Sequence, residues 1–170
     1  MSKAFTRESD DFSERPVIAR RASLLPPGAK NYLTPDGAQR LRGELDRLVR
    51  VERPRFATVP DDNDARRKLQ ELDQRIDHLQ QSLQSAVVVS PPTTREDRVR
   101  FGATVTVRQR SGTESLYRIV GVDETDIDRG WVSWISPIAK AMLNARLGQR
   151  IRFRFPSGEE ELEIVGVTYE

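Results

Sequence analysis

The strongest constraint on this chain is a run of leucines. Leu69, Leu72, Ile76, Leu79 and Leu83 recur at steps of three, four, three and four, the spacing of a helix that zips against another helix. Leu41, Leu45 and Leu48 keep the same rhythm earlier in the chain. Folding the chain back at Pro60-Asp61 brings both series into layers: Leu48 on Leu72, Leu45 on Ile76, Leu41 on Leu79, and Phe56 on Ala65. One mirror point serves every layer. The pattern therefore predicts an antiparallel α-helical coiled-coil hairpin over residues 31–90, with its tip at residues 59–64.

The ends of the two arms carry their own signals. Thr34-Pro35-Asp36 reads as an N-cap, a proline at the first helical position and an acid in the first turn. The first arm is expected to run to about Phe56, with a kink or early end at Pro54. The second is expected from near Asp64 to about Ser85. His78, the single histidine, falls beside Leu79 on the outer surface of that helix. With no cysteine or second histidine near it, it is not expected to bind metal.

Charge along the hairpin is segregated although the net charge is only +2. Arg47, Arg50, Arg53, Arg55, Arg66 and Arg67 line the stem, and Asp61, Asp62 and Asp64 crowd the tip. A basic stem of this kind is a candidate nucleic-acid-facing surface, for RNA or DNA. The plain alternative is a set of solvated helix faces. Likewise, the tip acids serve equally well as caps for the second helix.

Past the hairpin the period changes. Val87-Val88-Val89-Ser90-Pro91-Pro92 reads as a linker. From Val99 onward, Phe101, Ala103, Val105 and Val107 alternate with polar partners, as a half-buried strand does. Leu116 to Val122, Trp131 to Ile135, Ile151 to Phe155 and Leu162 to Val167 read as further strands. Ser136 caps a short helix that Pro137 opens and that ends by Leu147-Gly148. This is an α+β domain around an antiparallel sheet, over residues 91–170. Its core is expected to contain Phe101, Trp131, Trp134, Phe153 and Phe155. Residues 1–30 are polar and broken by Pro16, Pro26, Pro27 and Gly28, and read as a disordered or extended tail.

Composition excludes several classes. With 36% hydrophobic and 32% charged residues, the chain suits an elongated molecule rather than one large core. It has no cysteine, hence no disulfide or thiolate site. No apolar run is long enough to span a membrane, and Met1 to Phe5 does not open a secretory signal. A cytoplasmic monomer is the expectation.

Three ordered blocks then resemble the bacterial Gre-family transcript-cleavage factors of GreA/GreB type. They are Phe101-Gly102-Ala103-Thr104-Val105, Tyr117-Arg118-Ile119-Val120-Gly121 with Asp123-Glu124, and Ser136-Pro137-Ile138-Ala139-Lys140-Ala141-Met142-Leu143. Tyr32-Leu33-Thr34-Pro35-Asp36-Gly37, Glu52-Arg53-Pro54 and Leu72-Asp73-Gln74-Arg75-Ile76 extend the likeness over residues from about 31 to the end. The resemblance implies an FKBP-like head that binds RNA polymerase core enzyme at the rim of its secondary channel through Ile135, Ser136, Pro137 and Ile138. It also implies a hairpin that enters the channel, where tip acids act beside the polymerase Mg²⁺ and the stem meets nascent RNA. The chain would have no metal or cofactor of its own, and at most would stimulate the polymerase's cleavage of RNA.

The sequence also departs from that family. The family tip reads like Gly-Asp-x-Ser-Glu-Asn-Ala, whereas Pro60-Asp61-Asp62-Asn63-Asp64-Ala65 stands here. Either Asp61 and Asp64 keep the three-residue spacing of the two acids, or Asp62-Asn63 matches Glu-Asn and the upstream acid is lost at Val59. The GreB-type Asp before Ser-Pro is Ile135. The hairpin is about thirteen residues shorter than a GreB-type one, roughly six per arm, so at ~1.5 Å per residue its tip retreats by ~10 Å. The expectation is a factor that modulates elongation with weak or absent cleavage stimulation. The alternatives are a true cleavage factor that docks deeper and, by the likeness of the head, a peptidyl-prolyl isomerase-like binding module.

Overall fold

The computed structural model describes residues 25–58, 63–94 and 96–170. Most of the expected tail, and Pro60, Asp61 and Asp62 at the expected tip, lie outside the described residues. The first arm opens with β1 (Asn31–Leu33) and α1 (Pro35–Arg47), passes through a π-helical turn (Leu48–Glu52), and ends in α2 (Arg53–Ala57). The second arm is α3 (Asn63–Ser85), which leads into β2 (Ala86–Val88).

Pro54 explains the division of the first arm. Its ring has no N–H to give and would strike a carbonyl one turn back in a continuous α-helix. The wide turn, in which the Arg53 N–H reaches the Leu48 carbonyl, moves Pro54 to the start of α2. There a missing N–H breaks no helical bond. The expected kink is thus absorbed as an inserted residue.

The arms pack side by side. Leu41 and Leu48 of the first meet Leu72, Ile76 and Leu79 of the second in one buried cluster, flanked by Leu45, Phe56 and Leu83. Glu44 pairs with Arg75 and Arg53 with Asp73, so the arms run in opposite directions. The first part of the segment read as a linker, Val87 and Val88, belongs instead to β2, while residues 89–92 carry no strand. β2 turns back and pairs in parallel with β1, from Asn31↔Ala86 to Leu33↔Val88. Its partner lies more than fifty residues upstream, beyond the reach of a local pattern.

The rest of the chain is a five-stranded sheet in the order β5-β4-β3-β7-β6. It comprises β3 (Thr104–Gln109), β4 (Glu114–Val120), β5 (Trp131–Ser133), β6 (Arg150–Phe155) and β7 (Gly158–Thr168), with α4 (Pro137–Met142) crossing between β5 and β6. The expected antiparallel sheet is corrected to a mixed one, because β5 pairs with β4 in parallel, Arg118↔Trp131 to Val120↔Ser133. After β4 the chain makes a 3-10 turn (Val122–Glu124) and returns to the start of β4 before β5 begins. The α4 helix stops at Met142 rather than near Ala145, since Asn144 sits at φ +68° and reverses the chain.

The expected core is also corrected. Val99, Val105, Val107, Ile119, Met142 and Ile164 fill it, each at most 1% exposed. Phe101, Trp134 and Phe153 only flank it, and Phe155 is 37% exposed. β-Branched side chains on alternate strand positions interlock at the centre of so small a sheet, which leaves the larger rings at its margins. Two of them serve the joint instead. Tyr32 of β1 lies with its ring centroid 5.6 Å from Phe101 and 5.1 Å from Trp134.

Candidate functional site

The expected docking turn, Ile135 to Ile138, is built by capping. Ser136 has extended backbone, and its hydroxyl accepts from the Ala139 N–H at 3.3 Å. Its own N–H donates to the Ser133 carbonyl. Pro137 then occupies the first helical turn, exposed to solvent. Ile138 leans on the head core, whereas Ile135 is half-buried outside that cluster. The turn therefore presents Ile135 and Pro137 outward from a rigid base.

Sequence reasoning missed a second feature, in the turn that precedes the edge strand β5. Ile127 is 93% exposed. Its turn is firmly held: Gly130 N–H donates to the Ile127 carbonyl, Asp126 and Trp131 exchange both backbone bonds, and Arg129 N–H donates to the Asp126 carboxylate. Its only signal was one apolar residue within Asp126-Ile127-Asp128-Arg129. Beside it, Trp131 carries three guanidinium groups, those of Arg40, Arg118 and Arg129, at 4.6, 5.1 and 5.2 Å from its centroid. Trp131 thus cements surface charge rather than filling the core.

The stem arginines are less available than their number implies. Arg47 faces Glu52 at 3.2 Å, Arg50 faces Asp46 at 2.6 Å, Arg53 faces Asp73 at 2.6 Å and Arg67 faces Glu71 at 3.9 Å. Arg55 and Arg66 are exposed. The Asp73 carboxylate holds the Arg53 guanidinium above its ordinary pKa by hydrogen bond and charge, and Glu44 does the same to Arg75 against partial burial. Neighbouring carboxylates thus soften the field of the stem.

Of the three tip acids, Asp64 is described. It stands exposed in the first turn of α3, where a carboxylate favours the helix dipole. Among the described residues, no three His, Cys, Asp or Glu side chains gather as a metal site.

The joint between arms and head is held by buried and part-buried side-chain hydrogen bonds, and it corrects the reading of His78. That side chain does not face solvent on an outer surface. Its Nε2 lies 2.8 Å from the Asp123 carboxylate of the head. A helical wheel sees only the partner arm, and here the head packs on the face that the wheel leaves open. Thr34 likewise does more than cap. Its hydroxyl accepts from the Gly37 N–H at 3.0 Å while donating to Glu124.

The comparisons with known proteins agree with this layout. Residues 94–169 match the family described as transcription elongation factor, GreA/GreB, C-term. Transcription elongation factor GreB of Neisseria meningitidis serogroup A is 39% identical over 154 residues, covering 82% of this chain and 94% of that protein. Transcription elongation factor GreA of Alkalilimnicola ehrlichii is 40% identical over 156 residues, covering 83% and 99%. A solved structure, the prokaryotic transcription elongation factor GreA/GreB from Nitrosomonas europaea, is 25% identical over 82% of this chain and all of that one. Its TM-score is 0.41, too low for the superposition to add to the sequence match. On the sequence matches, spread over most of the chain, the protein belongs to the GreA/GreB family of transcription elongation factors.

Proposed function

We propose that this elongation factor binds RNA polymerase through its head, with Ile135, Ser136, Pro137 and Ile138 as the docking turn, and directs its two arms as a coiled-coil hairpin into the secondary channel. Its effect is to modulate elongation, with cleavage stimulation weak or absent. It is not an enzyme, holds no metal of its own, and works as a cytoplasmic monomer. The observation that carries the reading is the length of the arms. The described α3 has 23 residues, or about 34 Å at the usual helical rise. The family resemblance expects a longer finger where carboxylates must reach the polymerase Mg²⁺. Metal coordination tolerates errors of only about 0.2 Å, so a retreat of ~10 Å removes direct contact.

The docking turn favours a protein partner. Pro137 and Ile135 stand out from a capped base, and Ile127 protrudes from the other end of β5. An exposed apolar side chain on a rigid base can anchor in a pocket of a partner protein and be desolvated there. Pull-down of core polymerase tests this, with competition by a longer Gre factor. The expected result is micromolar or tighter binding that weakens at least tenfold in Ile127→Asp and Pro137→Asp variants. Absence of binding overturns the reading.

The second reading, a true cleavage factor that docks deeper, is favoured by Asp64, exposed in the first turn of α3. A cleavage assay on backtracked complexes separates the two. Stimulation that Asp61→Asn and Asp64→Asn abolish supports deep docking, and no stimulation supports the blunt finger. Contact of the exposed stem arginines Arg47, Arg50, Arg53, Arg55, Arg66 and Arg67 with extruded RNA belongs to the same proposal, and its sign is crosslinking of RNA to the arms. Nothing favours the isomerase alternative. The hollow at Glu96, Asp97, Arg98, Arg100 and Arg146 and the one at Arg110, Arg152 and Glu159 to Glu161 are lined mainly by charge.

A further inference from the structure

Two neighbouring carboxylates on the 3-10 turn of the head grip different arms. Glu124 is 5% exposed. It accepts from the Thr34 N–H at 2.9 Å, from the Thr34 hydroxyl, and from the Gly121 N–H at 3.0 Å. Arg40 approaches it at 3.7 Å. The first turn of α1 rests directly on this carboxylate: a Cβ at Gly37 would lie 1.8 Å from its Oε1. Only glycine lets the helix come so close.

Asp123 holds the other arm. It accepts from the Ser82 hydroxyl and faces His78 at 2.8 Å. Ser82 is itself buried, and its carbonyl and hydroxyl accept from the Asn31 side chain at 2.9 and 3.2 Å. Among the described residues, both hydrogen bonds from α3 to the head end on Asp123. The first arm has further ties, through Tyr32 on Trp134, Arg40 on Trp131 and Asp36 on Arg118. The second arm has those two bonds to the head, and its other ties at the joint run to β1.

We propose that Asp123 and Glu124 are the positioning pair that sets the direction of the arms relative to the head. Hydrogen bonds to a charged, desolvated acceptor are strong, and removing the acceptor strands buried donors. Each arm is tied near its base, so small errors grow outward. Over an arm of about 34 Å, a tilt of about 10° displaces the far end by about 6 Å. Asp123 is the member that fixes the tilt of α3, because it joins that helix to the head itself, whereas Asn31 of β1 joins it only to the first arm. The consequence for the polymerase rests on the proposed function, but the joint itself is testable in the free protein.

The absence of cysteine makes that test direct. Spin labels at Arg67→Cys on α3 and Thr113→Cys on the head report the distance between arm and head by double electron–electron resonance. The parent is expected to show one narrow distribution. Asp123→Ala and, separately, Ser82→Ala are expected to shift it or widen it about twofold, the behaviour of domains whose interface has been loosened. Asp123→Asn keeps an acceptor for Ser82 and is expected to restore much of the narrow peak. Ser82→Ala leaves the head chemically untouched and decides the matter if Asp123→Ala perturbs the head. Unchanged distributions in Ser82→Ala and Asp123→Ala overturn the proposal. A null result in polymerase pull-down does not touch this measurement, so failure of the functional reading and failure of the positioning pair are distinguished.

Discussion

The head and the arms bury their apolar residues in different ways. In the head, Val105 and Val107 of β3, Ile119 of β4 and Ile164 of β7, with Val99 ahead of the sheet, are sealed at 0–1% exposure. In the arms, Leu41, Leu48, Leu72 and Ile76 retain 4–7%, each with one flank on a two-helix seam. Leu33, Ala38 and Leu79 in that cluster reach 0%. Leu33 lies in β1, at the foot of the first arm beside the head, and Leu79 faces it from the lower part of α3. Burial is therefore complete at the joint and slightly incomplete along the seam beyond it. The head holds a core of its own, whereas the arms depend on a narrow seam and on the joint.

Ile164→Ala should have the largest effect. It opens a cavity in a core with no free side, at a cost of about 3–4 kcal/mol. Denaturant unfolding followed by the fluorescence of Trp131 and Trp134, both in the head, should show the loss. Leu72→Ala should cost less, about 2–3 kcal/mol, since the seam is open on one flank. It should lower the far-ultraviolet helical signal at a denaturant concentration where tryptophan fluorescence is still native. Coincident transitions in that variant would erase the distinction between self-supporting head and dependent arms.

The two helix caps sharpen the comparison at the next level. Thr34 and Ser136 each accept from an N–H three residues on. Thr34 is buried at 3% and also donates to Glu124, whereas Ser136 is half-exposed. Thr34→Ala should therefore cost at least ~1 kcal/mol and Ser136→Ala less, within the usual range for caps. A reversed order in thermal melting would show that the joint carries little of the load.

A smaller effect concerns pH and the head alone. Burial pushes the Tyr169 phenol above its ordinary pKa. Its hydroxyl donates to the Arg98 carbonyl at 2.6 Å and accepts from the Arg100 N–H. A raised pKa in the folded state means that the contribution is complete below the unfolded value, near pH 10, and is lost as pH climbs through the folded one. Tyr169→Phe should flatten that alkaline limb of the stability profile and leave the neutral region lower but level.

Much of this architecture was legible because local patterns matched final environments. The second helix was expected from near Asp64 to Ser85 and runs Asn63–Ser85, since its apolar period, its acidic start and its partner all agree. The alternation of Arg150 to Phe155 gave β6 for the same reason. What escaped was set by distant partners. Val87 and Val88 became a strand because β1 lies beside them. β5 entered in parallel because the loop before it doubles back. Asp123 and Glu124 look like ordinary turn acids until residues forty and ninety positions away close over them. The candidate docking turn was legible as a cap, but Ile127 was not, because exposure of one apolar residue has no period to betray it.

The smallest expected effects are those of the ion pairs between the arms, and they set the seam against its charged border. Arg75 meets Glu44 with two bonds of 2.8 and 2.9 Å in a partly buried setting. Arg53 meets Asp73 with one good bond of 2.6 Å, its second contact at 3.5 Å, in the open. Exposed pairs return little because water already solvates both ions and two long side chains must be held still. Arg75→Gln should therefore cost about 0.5 kcal/mol at low salt, and Arg53→Gln less again. In 1 M salt the Debye length falls to about 3 Å, and both variants should approach the parent while Leu72→Ala stays as destabilised as before. If salt instead separated the arms of the parent protein, with helicity falling as ionic strength rises, then charge rather than leucine would be holding them together.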